Sequence, residues 1–294
     1  MTIDKCLKTD CSKFICSIFP SCYKKSRYDP DLLFAFGIIF VILAVLNVIL
    51  FFMYALVKLK NKTITSNLKI FAVSFVALMC RIFWTLFSRY YYYDNVPVQT
   101  EQVLNAVSLT LIYLQQSFYV QSWLQLILKL NQMKGENFVK YTFPIVDFVI
   151  SLTALVVIIL RCVNTDTQFY QVFCKIVAIA NLILTAIYSI VGGLILFKLK
   201  GYYQFCSKTV QTFTLASVVL IFITVSRFVA LIWQDVTNEY LEQNLFGLLE
   251  YFIPDFLSTF VINFMQLQIY FSTRKQMKTD EERNLIDGSS EAYV

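Results

Sequence analysis

Histidine is absent from the 294-residue chain, and charged residues are scarce. Without histidine there is no zinc site with histidine ligands, no Ser/His or Cys/His nucleophilic site and no haem bound through histidine. Only 15% of the residues are charged and 58% are hydrophobic, whereas soluble domains carry about 25% charged residues. The mean hydropathy of +0.63 agrees with this composition, so the chain is predicted to be a membrane protein.

Seven long apolar stretches recur along the chain. Each is long enough to cross, as a helix, a hydrocarbon core of about 30 Å. Since the residue alternation of outer-membrane barrels is missing, we predict an all-α membrane protein, a bundle of seven transmembrane helices. The stretches are 32–57, 66–90, 103–128, 142–160, 169–197, 209–233 and 246–271. They divide the chain into an N-terminal tail (1–31), the bundle (32–271) and a C-terminal tail (272–294).

Lysine and arginine are distributed unevenly about the predicted spans. Loops 1-2, 3-4 and 5-6 together with the C-terminal tail carry 14, whereas the other side carries nine, six of them in the N-terminal tail. Because positive loops face the cytosol, we predict a lumenal or outside N-terminus and a cytosolic C-terminus. The net charge of +6 is therefore interpreted as a topology signal, and no nucleic-acid partner is expected.

Four of the eight cysteines crowd the N-terminal tail: Cys6, Cys11, Cys16 and Cys22. A lumenal tail would allow disulfide bonds among them, in pairings that the sequence does not distinguish. A cytosolic tail would instead place these thiols among lysines near the membrane, a setting typical of palmitoylation. The chemistry of these cysteines therefore depends on the orientation, and both alternatives stay open.

Spans 1 and 5 contain similar segments. NVILFFMYALV at 47–57 can be aligned with NLILTAIYSIV at 181–191, and spans 2 and 6 carry Arg81 and Arg227, each with a tryptophan downstream. The pattern is consistent with a parallel 3+1+3 duplication in which span 4 is the linker. Chance similarity between apolar helices is the competing explanation.

Motifs of rhodopsin-like receptors and of intramembrane proteases are missing. Span 3 ends without Asp-Arg-Tyr, and span 7 has neither an Asn-Pro pair nor a lysine for a retinal Schiff base. The intramembrane acids Asp147 and Asp255 lack the Gly-x-Gly-Asp context of an aspartyl protease. Asp147 is expected to be an interfacial acid close to Lys140. We therefore expect no enzymatic activity, no metal and no cofactor.

Span 3 carries a polar stripe. The spacings of its members, three, seven, four and three residues, place them on one helical face. The simplest interpretation is hydrogen bonding between helices, worth about 0.6 kcal/mol for each bond, and the alternative is a solute pathway. The stripe consists of Asn105, Ser108, Gln115, Tyr119 and Ser122.

Four charged residues are predicted to meet inside the bundle, where an unpaired charge costs about 2.5 to 3.5 kcal/mol or more. At the rise of an α-helix, Arg81 and Asp255 both lie about 14 Å from the ends of their spans, which predicts a contact between them. Arg227 lies about 9 Å and Glu250 about 6 Å from their ends, which predicts a second contact. Crossed pairs within one network are the alternative. The network either fixes helix packing or lines a ligand pocket.

The C-terminal tail contains EERNLI, in which Glu281 precedes Leu285 and Ile286. An acid, three spacers and two branched aliphatic residues resemble the dileucine signal that clathrin adaptors bind on cytosolic tails. The motif predicts sorting to endosomes and lysosomes. A chance match of six residues is the alternative.

Three of the spans together resemble a known family. LKIFAVSFVALMCRIFWTLF in span 2, FYVQSWLQLIL in span 3 and EYFIPDFLSTFVINF in span 7 are similar to the seven-span family of the plant tobamovirus multiplication proteins and their animal orphan-receptor-like relatives. The likeness rests chiefly on Arg81, Trp123 and the segment from Glu250 to Pro254. The resemblance implies a protein of vacuolar, endosomal or lysosomal membranes that recruits small GTPases and has no established enzymatic activity.

Two functions are compatible with these features. The first is a receptor-like scaffold of endolysosomal or vacuolar membranes whose cytosolic face recruits a small GTPase or a clathrin adaptor. The second is a small-solute transporter of the 3+1+3 type, because transporters use broken helices and Pro254 offers a break in span 7. A non-catalytic subunit of a membrane complex and a location in the plasma membrane are further alternatives. The lipid bilayer is a partner in every case.

Overall fold

The computed structural model describes residues 29–60, 66–90, 98–130, 136–163, 168–199, 206–237, 243–268 and 270–271. These residues are helical apart from Asp29, and they contain no strand. The first six helices are α1 (Pro30–Lys60), α2 (Ser66–Tyr90), α3 (Val98–Leu130), α4 (Glu136–Val163), α5 (Gln168–Leu199) and α6 (Cys206–Thr237). The last helix, α7, begins with Gln243–Gly247, passes through a π-helical turn at Leu248–Phe252 and continues over 253–268.

Six of these helices are long and apolar enough to cross a membrane, namely α1, α2, α4, α5, α6 and α7. The all-α membrane class and the multi-pass architecture follow from them, since each helix satisfies its own backbone hydrogen bonds in lipid. The remaining long helix, α3, has 33 residues but carries too many polar side chains to meet the same criterion. The predicted spans match the described helices in order, and the helices extend a few residues further at several ends.

The bundle is organised around α3, which packs against α2, α4 and α5. Further close pairs are α1 with α2, α5 with α6, and α6 with the π-helical turn of α7. The first helix also contacts the last: the rings of Phe36 and Phe252 stack with centroids 4.5 Å apart. Consequently α7 contacts the first half of the chain through α1 and the second half through α6.

Burial differs strongly among the helices. In the apolar stretch of α4 only 22% of the residues are buried, compared with 61% in α7. The outward side chains of α4 are large and apolar, for example Ile145, Phe148 and Val149. Because lipid tails accept such side chains as readily as a protein core does, α4 is the peripheral helix of the described bundle and α7 belongs to its interior.

Candidate functional site

The four charged residues predicted to meet inside the bundle are all buried. Arg81 on α2, Arg227 on α6, and Glu250 and Asp255 on α7 are each at most 2% exposed. Their helices approach one another at the ends joined by loops 2-3 and 6-7. The structure therefore gathers two guanidinium groups and two carboxylates in the same part of the interior.

Asp255 is the acceptor for both arginines. Arg81 donates from Nε to Oδ2 at 2.5 Å, and Arg227 donates from Nη2 to Oδ1. The Arg81–Asp255 contact is the one that equal depth predicts. In place of the expected Arg227–Glu250 ion pair, Arg227 pairs with the carboxylate of Asp255 and binds only the backbone carbonyl of Glu250. One carboxylate thus holds α2 and α6 onto α7.

Arg227 also stabilises the break in α7. Pro254 has no N–H, so the carbonyl of Glu250 four residues earlier loses its α-helical donor. The π-helical bond from the N–H of Ile253 to the carbonyl of Leu248 marks the same irregularity. Arg227 donates from Nε to the freed Glu250 carbonyl at 2.9 Å. A side chain of α6 therefore supplies the hydrogen bond that proline removes.

The network continues into α3 and α5. Arg81 donates from Nη1 to Oδ1 of Asn105 at 2.5 Å, and Asn105 donates from Nδ2 to the Tyr170 hydroxyl. Asn105 belongs to the predicted polar stripe, whereas Tyr170 was not predicted. A tyrosine close to the start of a span is typical of the membrane interface, so its inward position had no signal in the sequence. Five helices now share one buried polar network.

Aromatic rings cover the Arg81 guanidinium. Its central carbon lies 5.3 Å from the centroid of Trp84 and 5.2 Å from that of Tyr251. Phe252 stacks on Trp84 at 5.5 Å between centroids. Aromatic faces attract a cation and exclude water. These rings therefore hold the guanidinium group in place and separate it from lipid.

Glu250 differs from Asp255 in how its carboxylate is bound. Both of its oxygens are buried without a hydrogen bond of normal geometry to any described residue. The Tyr251 side chain and the guanidinium groups of Arg227 and Arg81 lie near the Glu250 carboxylate. The two bases and two acids balance formally, so the cluster carries no net charge when all four are ionised.

The other stripe residues also face neighbouring helices. The Ser108 hydroxyl lies 3.5 Å from the Ala77 carbonyl, Gln115 accepts from Thr259 at 3.4 Å, and the hydroxyls of Tyr119 and Tyr188 are 3.2 Å apart. Ser122 is half-buried. Further polar residues of α3 are buried outside the stripe: Gln102, Thr110, Gln116 and Ser117. The helix is enclosed on several sides, so its polar surface is wider than one stripe.

A small cavity lies between α3 and α5, with contributions from α6 and α7. The cavity has room for roughly one water molecule. The polar atoms around it come from Gln116, Tyr119, Thr185 and Tyr188. This cavity is too small for a sugar or an amino acid, so it is not a solute site in this conformation.

Asp147 lies elsewhere than expected. Its side chain is only 6% exposed, and it faces Tyr113 and Ser117 on α3. Lys140, which is exposed on the same helix, places its ammonium 5.7 Å from the centroid of the Tyr141 ring. The expectation that Asp147 lies close to Lys140 is therefore wrong, because its side chain faces α3 instead. The separation of Asp147 from the arginine network agrees with the sequence analysis.

Two predicted motifs lie outside the described residues. These are the tail cysteines, Cys6, Cys11, Cys16 and Cys22, and the sorting motif with Glu281, Leu285 and Ile286. In the described ranges no group of three or more cysteine, aspartate and glutamate side chains is placed to hold a metal ion.

Comparison with known protein families, curated proteins and solved structures finds no match to this chain.

Proposed function

We propose that the chain is a receptor-like membrane protein with seven spans. These are the six long apolar helices and α3. With 33 residues, α3 is about 50 Å long, enough to cross the bilayer. Its polar side chains turn to neighbouring helices, as in the bonds of Asn105 and Gln115. A helix enclosed by other helices does not need an apolar surface of its own.

The parallel 3+1+3 arrangement is part of this proposal. The aligned residues Asn47 and Asn181 are both buried. The aligned tyrosines contact corresponding helices: Tyr54 donates to the Gln266 carbonyl on α7 at 2.7 Å, and Tyr188 pairs with a tyrosine hydroxyl on α3. In a 3+1+3 repeat α3 corresponds to α7, so both tyrosines bind the last helix of the other half. This exchange supports a duplication.

The proposed role is that of a scaffold in endolysosomal or vacuolar membranes that recruits a small GTPase or a trafficking adaptor. The observation that carries it is the clamp at Asp255, which binds Arg81 and Arg227 at 2% exposure or less. These shared ion pairs hold α2, α6 and α7 in one arrangement. A bundle fixed in this way suits a protein that acts through its cytosolic surface, which the lysine-rich loops would form.

Capture of GTPases on the reconstituted protein tests this role. The full chain in nanodiscs is incubated with cytosol that contains a non-hydrolysable GTP analogue or GDP, and bound proteins are identified by mass spectrometry. We expect one small GTPase to bind in a nucleotide-dependent way. The matched control is Asp255→Asn, whose loosened bundle should capture less. Equal capture with both nucleotides, or no GTPase at all, would reject the scaffold role.

Endolysosomal sorting has its own test. Changing Leu285 and Ile286 to alanine is expected to move the protein towards the cell surface, because clathrin adaptors would no longer bind the tail. Asn284→Ala, inside the same motif, should leave the distribution unchanged. An unchanged distribution of the double variant in fluorescence microscopy would show that the motif is a chance match.

A small-solute transporter is the second candidate, and one observation favours it. The irregular turn of α7 lies next to buried charges, as the broken helices of transporters do, and the Glu250 carboxylate there has no hydrogen bond of normal geometry to a described residue. Counterflow of labelled sugars and amino acids into proteoliposomes distinguishes the candidates. Uptake that is lost in Arg81→Gln would favour the transporter, and no uptake above empty liposomes would favour the scaffold.

A further inference from the structure

Asp147 is a buried acid that the arginine network does not use. It lies on the peripheral helix α4, whose neighbouring side chains Ile145, Phe148 and Val149 are 63%, 67% and 53% exposed towards the lipid. Asp147 itself is 6% exposed, because it turns from the lipid to the interface with α3. It lies about 16 Å from the start of α4, near the middle of the apolar stretch Asn137–Leu160.

The surroundings of Asp147 contain hydroxyl groups. From α3, the hydroxyls of Tyr113 and Ser117 lie beside the carboxyl group. Neither Asp147 oxygen has a hydrogen bond of normal geometry with a described residue, and the Ser117 hydroxyl has none either. The side chain is therefore enclosed by polar groups of no net charge.

No described cation is placed to neutralise Asp147. The other helix packed against α4 is α5. Its Lys175 lies about 14 Å from Asp147 along the bundle axis. The hydroxyl of its Tyr188 is paired with Tyr119. On α4 itself, Lys140 lies about 10 Å nearer the helix end. Asp255 shows the contrast, since two guanidinium groups bind it directly. A carboxylate without such partners is very unfavourable in hydrocarbon.

We propose that Asp147 is a proton-binding site within the membrane. The carboxylate takes one proton from water and forms an O–H group, and no other bond changes. The neutral acid donates one hydrogen bond and accepts others, which suits the hydroxyls of Tyr113 and Ser117. The proton removes the charge that α4 would otherwise carry into the bilayer. Loss of that proton would oppose the contact between α4 and α3.

Infrared spectroscopy of the full chain in nanodiscs tests the proposal. A protonated carboxylic acid has a carbonyl stretch above the amide bands, whereas a carboxylate does not. At neutral pH we expect this band to be weaker in Asp147→Asn than in the wild-type protein and unchanged in Asp31→Asn, whose aspartate is exposed. A band of equal intensity in Asp147→Asn and in the wild-type protein, or a wild-type spectrum without the band, would overturn the proposal.

Labelling with dicyclohexylcarbodiimide tests the same site without a substitution. The O–H of a protonated acid adds across one C=N bond of the reagent. A protonated acid in apolar surroundings therefore reacts, whereas a carboxylate in an ion pair does not. We expect mass spectrometry to locate the adduct on Asp147 and not on Asp255. Labelling that sodium ions suppress at constant pH would show that a metal ion occupies the site, and this result would also reject the proposal.

Discussion

Asp255 binds two guanidinium groups with one carboxylate, so substitutions in this network have unequal costs. Breaking a buried ion pair costs about 3–5 kcal/mol, because a charge is left buried without its partner. Arg81→Gln removes one of the two bases and leaves Asp255 bound to Arg227. Asp255→Asn leaves both arginines with a neutral partner. We therefore expect Asp255→Asn to lower the thermal unfolding temperature more than Arg81→Gln.

Fluorescence-detected size-exclusion chromatography after heating measures this order in detergent or nanodiscs. Exchange of the charges, Arg81→Asp with Asp255→Arg, should fail to restore stability, since the new arginine would face Arg227. Rescue by the exchanged pair would contradict the shared contact. Asp31→Asn, at an exposed position, is the control for the general effect of removing a negative charge.

At the scale of the helix, Arg227 and Pro254 are coupled through the Glu250 carbonyl. Arg227→Gln leaves that carbonyl without its donor at 2.9 Å. Pro254→Ala supplies a backbone N–H that can bond to it. The cost of Arg227→Gln should therefore fall by about 1–2 kcal/mol when Pro254 is already alanine, since the freed carbonyl is satisfied again.

A double-mutant cycle on unfolding free energies gives this coupling directly. The cycle needs wild type, Arg227→Gln, Pro254→Ala and the double variant. Additive costs would show that the arginine does not compensate for the proline. Pro144, in the exposed part of α4, offers a control, because Pro144→Ala should show no coupling to Arg227→Gln.

Close packing of α1 on α2 depends on Gly37. A Cβ atom at this position would lie 2.6 Å from Leu86 Cδ2 and 3.2 Å from Thr85 Oγ1, and Thr85 is bonded to the Arg81 carbonyl. Gly37→Val should therefore destabilise the bundle by about 1–3 kcal/mol, the usual cost of overpacking. Gly193→Val is the matched control, since a Cβ there has no atom within 4 Å. Equal unfolding temperatures for both variants would contradict the close approach.

At the scale of the whole molecule, the orientation can be measured from the two ends of α4. Asn137 and Cys162 are both exposed and lie at opposite ends of this helix. In sealed vesicles with the cytosolic face outward, a membrane-impermeant maleimide should label Asn137→Cys at once and Cys162 only after detergent. Serine replaces the other cysteines in both proteins. The reverse pattern would overturn the predicted orientation and the cytosolic scaffold surface.

Much of the architecture was already contained in local properties of the chain. Apolar length predicts spans because the backbone must satisfy itself in lipid, and six of the seven predicted stretches lie on described helices that are long and apolar enough to cross a membrane. Depth along a helix is also a local quantity, so the approach of Arg81 to Asp255 could be anticipated. The polar stripe of α3 was recognisable from its spacing, as for Asn105 and Gln115, because side-chain direction repeats with the helical turn.

The remaining features depend on which helices are neighbours, and local pattern does not contain this information. The sequence determined that two bases and two acids lie at similar depths, but only the tertiary structure decided that Asp255 binds both arginines. The packing of α6 on α7 likewise turned Arg227 towards the Glu250 carbonyl that Pro254 frees. Asp147 shows the same limit, because its position on α4 was evident, whereas the contact with α3 that buries it arises from the rotation of one helix against another.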